Sequence, residues 1–138
     1  HDMALRAQER AHALDPAAPG VRNNLANILQ DTGDSERSLA LRRGLMREAP
    51  SDPMHVAMAG KALRTLGRLD EGIRLLEEGR RRFPGFPEMT IQLALTQLMA
   101  GDYAAGFGNY AARWLTGELT PRKLDAPRWA GDDLAGRT

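Results

Sequence analysis

The side chains able to hold a metal or move a proton are few and scattered in this sequence. His12 and His55 stand alone, and His1 with Asp2 and Met3 reads as an expression remnant. A metal site needs several histidines, cysteines or carboxylates at short, regular spacing. No H-x-x-x-H pair and no cysteine is present, so no metal or cofactor is expected. Asp132 and Asp133 are adjacent, but general acid and base roles need a rigid separation, so a solvated turn is the expectation. The stretch Gly106-Phe107-Gly108 has no strand before it and falls inside a helical pattern, which argues against a phosphate loop. Arg80, Arg81 and Arg82 close another helical pattern, where cations complement the macrodipole, in preference to forming an anion site. Arg42, Arg43 and Arg47 are expected on a solvated face. Met54, Met58, Met89 and Met99 suit either core filling or an adaptable groove. No catalytic residue emerges, and the chain itself is not expected to be an enzyme.

The elements that carry these residues are set by composition and spacing. The chain has 138 residues, 42% of them hydrophobic and only 5% aromatic, which suits helices better than a β-sandwich. Nineteen Lys and Arg against 18 Asp and Glu give a net charge of +1, with no electrostatic pull toward nucleic acid or an anionic membrane. No apolar run reaches the roughly 18 residues of a membrane span, and no signal peptide is visible. The lack of cysteine excludes disulfides and is compatible with a reducing compartment, so a cytoplasmic location is expected.

Proline and glycine supply the organisation. Pro16, Pro50 and Pro84 are 34 residues apart; so are Pro19, Pro53 and Pro87, and so are Gly33, Gly67 and Gly101. The second proline of each pair suits the first turn of a helix, where a missing N–H costs nothing. Asp52 is placed to cap the helix that follows. Each glycine suits a helix C-terminus, where the left-handed conformation is needed. A second helical pattern starts at once: "SERSLALRRGLMREA", "LDEGIRLLEEGRRRF" and "YAAGFGNYAARWL". The P-x-x-P pairs therefore read as turns between units and not as ligands for another protein's groove. Small residues recur in register, at Ala26, Gly60 and Ala94 and again at Ser38, Gly72 and Gly106. A helical glycine costs about 1 kcal/mol against alanine, so close helix packing is the expected reason for Gly60, Gly72 and Gly106.

A helix–turn–helix unit of 34 residues resembles the tetratricopeptide repeat. The W-x2-L-G-x2-Y positions are occupied by Arg22, Leu25, Ala26 and Leu29, then by Val56, Ala59, Gly60 and Leu63, then by Thr90, Leu93, Ala94 and Gln97. The small and aromatic positions of the second helix are Ser38 and Arg42, Gly72 and Leu76, and Gly106 and Tyr110. Most large aromatics are missing, Arg42 and Gln97 depart outright, and Glu118 stands in place of the third closing proline. The resemblance implies an all-α, right-handed superhelix (an α-solenoid) of about seven helices with an extended C-terminal tail. Its expected units are 19–52, 53–86 and a repeat-like 87–120. Residues 1–18 would hold the remnant and the second helix of an incomplete upstream repeat, and 121–138 a linker, making the chain a piece of a longer array.

The tail carries a second resemblance. "YAARW" at 110–114 followed by "PRWAGDDLAGRT" at 127–138 is similar to the join between a repeat array and a glycosyltransferase-like domain in bacterial relatives of O-linked N-acetylglucosamine transferases. Trp129, Gly131, Leu134, Gly136, Arg137 and Thr138 stand at the matching places, and "NNLANIL" at 23–29 resembles repeats of those proteins. This implies a module that brings acceptor proteins to a tethered transferase.

In such a solenoid the first helix of each unit lines the concave side. Its candidate contacts are Asn23, Asn24, Asn27 and Gln30, then Ala57, Met58, Lys61 and Arg64, then Ile91, Gln92, Leu95 and Leu98. Asparagine carries both donor and acceptor and can pair with a peptide backbone of any sequence. The related transferases use an asparagine ladder in this way. Asn24 matches it, and Met58 and Gln92 interrupt it. Lys61 and Arg64 offer charge for a carboxylate. The expected partner is a protein or extended peptide in the groove, with self-association through uncapped terminal helices in addition. A structural or oligomerisation scaffold with no peptide groove is the alternative.

Overall fold

A computed structural model describes residues 2–117, 119, 135 and 136. Among them the chain forms seven α-helices and one 3₁₀ segment, with no strand. The helices are α1 (Asp2–Leu14), α2 (Pro19–Asp31), α3 (Ser35–Glu48), α4 (Pro53–Thr65), α5 (Leu69–Arg82), α6 (Pro87–Met99) and α7 (Tyr103–Tyr110). The 3₁₀ segment Ala111–Leu115 follows α7 directly.

The breakers act as their spacing predicts. Pro19, Pro53 and Pro87 each open a helix. Gly33, Gly67 and Gly101 all take positive φ, between +73° and +92°. At each of them the N–H of the following residue reaches back to a carbonyl five residues earlier: Asp34 to Leu29 at 2.8 Å, Arg68 to Leu63 at 2.9 Å and Asp102 to Gln97 at 3.0 Å. This is one Schellman turn used three times, and it reverses the chain so that the next helix packs antiparallel. The Asp52 carboxylate accepts from the Met54 N–H at 2.9 Å, as a cap should. Asp34 and Asp102 cap α3 and α7 in the same way.

The core follows the helix pairs. Leu25, Leu29, Leu39 and Leu45 are buried in the first pair. Val56, Leu76, Met89 and Leu93 form a cluster that joins α4, α5 and α6. Gly60 serves the close approach expected of it, since a Cβ there would lie 2.5 Å from Leu76 Cγ. Gly106 does the same against Leu98, whereas a Cβ on Gly72 would meet neighbours only at 3.4 Å and beyond. Gly79 is a further close approach, its missing Cβ lying 2.7 Å from Met89 Sδ.

Two details differ from the expectation. The helical pattern of 103–115 is α-helical only to Tyr110 and then tightens to 3₁₀; Gly106 and Gly108 weaken an eight-residue helix that has little length to spare. Helix stacking is also uneven. Helix α4 packs directly on α6, while α2 and α4 approach each other far less closely. The proposed tail, with Glu118, Trp129, Gly131, Asp132, Asp133, Leu134, Arg137 and Thr138, lies outside the described residues, and only Ala135 and Gly136 within it form a described turn.

Candidate functional site

The gap between α2 and α4 is the place where the fold leaves room. Its floor is α3, and the cavity measures about 240 Å³. Asn27, Gln30 and Asp31 come from α2, Ser38 and Arg42 from α3, and Met58 and Lys61 from α4. Four residues expected in a groove, Asn27, Gln30, Met58 and Lys61, are thus brought to one pocket.

Arg42 creates the gap, and it corrects the expectation of a solvated arginine face. It is only 2% exposed and occupies the register position that Leu76 holds one unit later. Its guanidinium donates through Nη1 to Asn23 Oδ1 at 2.6 Å and through Nη2 to Asn27 Oδ1, while Nε finds no partner. Burial pushes the arginine below its ordinary range, with Asp52 opposing. Among the described residues no carboxylate is in ion-pair contact with Arg42 or with Lys61. Arg43 and Arg47 are exposed as expected, and Arg43 pairs with Glu71 across α3 and α5.

The other expected groove residues are distributed as follows. Asn24 is exposed on α2 and makes none of the described side-chain hydrogen bonds. Gln30 donates to Ser35 Oγ at 3.2 Å and Thr65 Oγ1 at 3.0 Å, which ties the end of α2 to the end of α4. Arg64 is partly committed, donating to Gln92 Oε1 at 2.8 Å, and burial pushes it below the usual arginine range. Leu95, Ile91 and Leu98 are half-buried on α6. Ala57 is fully buried in the α4–α6 contact, so it faces the core and not the groove. The methionines divide: Met89 is core, Met58 lines the pocket, and Met54 and Met99 are exposed.

A polar network flanks the pocket behind α3. Arg22 makes a two-pronged pair with Glu48, with Nη1 to Oε1 at 2.7 Å, and its Nη2 also donates to the Ala17 carbonyl at 3.0 Å. The arginine's hydrogen bonds hold the Glu48 carboxyl below its usual range. His55 is buried, with Nε2 3.4 Å from Asp52 Oδ2. Burial, opposed by Asp52 and reinforced by Arg42 and Arg22, lowers the His55 pKa, so the ring is neutral near pH 7. At the far end, Arg80 donates to Asn109 Oδ1 at 3.0 Å and Asn109 donates to Gln97 Oε1 at 2.8 Å, which satisfies the glutamine in its aromatic-type position. Arg82 stacks on Phe83 at 5.2 Å. These are structural uses of the arginine run. Gly106, Phe107 and Gly108 lie within α7, as their pattern required.

Sequence reasoning missed Arg42, Ser38 and Asp31 as pocket residues. The signal for Arg42 was available, since its 34-residue counterparts Leu76 and Tyr110 mark an inward-facing position.

Among the described residues no three His, Cys, Asp or Glu side chains converge on a possible metal position, and no helix is long and apolar enough to cross a membrane.

Comparison with known proteins agrees with this architecture. Residues 54–96 match the tetratricopeptide repeat. Among solved structures, a thermophilic tetratricopeptide-repeat protein of Thermus thermophilus superposes with a TM-score of 0.73 at 19% identity, over 83% of this chain and 64% of that one. MamA from Desulfovibrio magneticus RS-1 gives 0.72 at 14% identity, over 87% and 68%. MamA MSR-1 gives 0.69 at 20%, over 84% and 67%. The chain therefore spans about two-thirds of the length of these structures, slightly less for the Thermus protein. No curated protein matches. The chain contains a tetratricopeptide repeat and folds as a tetratricopeptide-type helical solenoid.

Proposed function

We propose that this chain is a non-catalytic protein-interaction module whose first-helix face, built by α2, α4 and α6, takes an extended peptide. The observation that carries this reading is the pocket between α2 and α4, which gathers Asn27, Met58 and Lys61 beside the exposed Asn24. A groove of this kind supplies backbone-pairing groups and pockets for alternate side chains. The units are read as 19–52, 53–86 and 87–120, each contributing one first helix to the face. Selection of random displayed 12-residue peptides on the 138-residue chain tests it. Peptides should be enriched, and Met58→Glu, at a half-buried lining position, should remove most of them. Enrichment that ignores Met58→Glu, or no enrichment at all, favours the scaffold reading.

We further read the module as one that presents acceptor proteins to a glycosyltransferase-like domain. The support is the residue pattern of Trp129, Gly131, Leu134, Gly136, Arg137 and Thr138. The test is sugar transfer to a selected peptide by the full-length parent protein, with and without Met58→Glu. Equal transfer to both would remove this reading while leaving the interaction module in place.

A further inference from the structure

We propose that the outer face of α7 is a docking surface for a second copy of this chain, the two copies packing through antiparallel α7 helices related by a two-fold axis. The inference goes beyond the peptide-binding reading, since it concerns a second helix at one end of the stack and not the first-helix face.

The repeating register picks out this surface. On α5, Asp70, Arg74 and Arg81 are exposed and keep the outer side of that helix solvated. One unit later the same positions are Ala104, Gly108 and Leu115, and all three are exposed as well. No charged side chain occurs from Tyr103 to Ala112. Tyr103, Phe107 and Leu115 are 63%, 66% and 75% exposed. At 3.6 residues per turn, Tyr103, Ala104, Phe107, Gly108 and Ala111 share one side of the helix. A contiguous exposed apolar face of this kind marks an interaction site.

The earlier units show what the face lacks. Leu39 is only 1% exposed, because Ala59, Ala62 and Leu63 of α4 cluster with it. Ile73, one unit on, packs against the cluster that contains Met89 and Leu93 of α6. Phe107 holds the same register position and stays exposed. In both earlier units the cover is a helix, so a helix is the fitting occupant here.

Self-complementarity makes that helix a second α7. A two-fold interface uses one patch twice, so the patch must tolerate itself. A charged surface would meet its own charge; this one carries none. Gly108 supplies the matching shape, since a Cβ there would meet nothing within 4 Å. Two antiparallel helices centred between Phe107 and Gly108 set each Phe107 over the partner's Gly108 and each Ala104 against the partner's Ala111. A solvent-facing glycine weakens so short a helix, and close approach by the partner gives Gly108 a role that contacts within one chain do not.

Sedimentation equilibrium of the 138-residue chain tests the proposal. The mass should rise with concentration from 15.1 kDa toward twice that value. A Kd on the order of 10 µM is expected, because an interface built on one short helix is small. Phe107→Glu should weaken the dimer about tenfold or more, by burying an unpaired charge. Gly108→Arg, which restores the residue type of Arg74, should do the same. Both positions are exposed, so helicity by circular dichroism should hold; Gly108→Arg, which removes a helix-weakening glycine, carries the test if Phe107→Glu unfolds. Leu14→Glu on the exposed side of α1 and Met58→Glu on α4 should leave the dimer intact. Added salt should not dissolve it, since no ion pair holds it. The chain has no cysteine, so Gly108→Cys gives a unique thiol that should link two copies on mild oxidation. Ala104→Cys should not, because its counterpart lies about two turns away along the axis. A chain that stays monomeric far above that Kd would overturn the proposal and leave the face to a different chain. A dimer that survives both charge substitutions, or one dissolved by Leu14→Glu or Met58→Glu, would overturn it by placing the contact elsewhere.

Discussion

The joints on either side of α4 are built from one repeating plan and end differently. Where α4 meets α6, Leu76 on α5 fills the space against Gly60, and the two first helices close on each other. Where α4 meets α2, position 42 carries arginine, and Asn23 and Asn27 stand at the places held by Ala57 and Lys61 one unit later. The arginine is held upright by two carboxamides, the helices stay apart, and a polar cavity remains. Identical helix breakers thus give identical hairpins, while one inward-facing residue decides whether neighbouring hairpins seal. The sealed joint buries a core, and the open one leaves a cavity.

This contrast is open to direct attack. Leu76→Arg moves the polar solution into the sealed joint, where it would face Ala57 and Lys61 in place of the two asparagines. An unpaired buried cation next to a like charge is expected to cost roughly 4–5 kcal/mol, comparable to the whole stability of a small domain. Urea denaturation followed by circular dichroism would show most of the cooperative transition lost. Gly60→Ala is the next largest change: its Cβ would sit 2.5 Å from Leu76 Cγ, and overpacking of this kind costs about 1–3 kcal/mol. Gly72→Ala is its control. There a Cβ meets only ordinary contacts, so the removed helix-glycine penalty should yield a gain of up to about 1 kcal/mol.

Arg42→Leu sharpens the comparison from the other side. Replacing a buried charged group by a packed apolar one is often neutral or stabilising, so stability should stay within about 1 kcal/mol of the parent or rise, with the cavity closing in a crystal structure. The last and smallest effect belongs to His55, a single buried proton site near the start of α4. Its folded pKa is lowered, first by burial and then by Arg42 and Arg22, against Asp52. The unfolded chain therefore binds the proton first as pH falls, so stability is full above the unfolded value of about 6.5 and declines below it. His55→Gln should flatten the pH dependence of the denaturation midpoint between about pH 7 and 5. An unchanged slope would show that His55 is not the titrating group.

Much of this was legible in the residues. A 34-residue recurrence of Pro19, Pro53 and Pro87 with Gly33, Gly67 and Gly101 sets where helices begin and reverse, because fixed φ and left-handed φ are local properties of those residue types. Gly60 and Gly106 announced close packing for the same local reason. Asn27, Met58 and Lys61 were expected on one face and do meet in one pocket. Ala57 and Arg42 were misplaced because both readings depend on neighbours distant in sequence. A small apolar residue on a first helix faces either groove or core according to how closely the next helix sits. An arginine is read as solvated until two asparagines some fifteen to nineteen residues away are found to accept its hydrogen bonds.

The sequence by itself determined the helices, their reversals and their stacking order, since these follow from backbone preferences that each residue carries alone. Only the tertiary structure decided which joint seals and which stays open. That outcome depends on how side chains from three helices share one volume, and on whether a buried charge finds partners there.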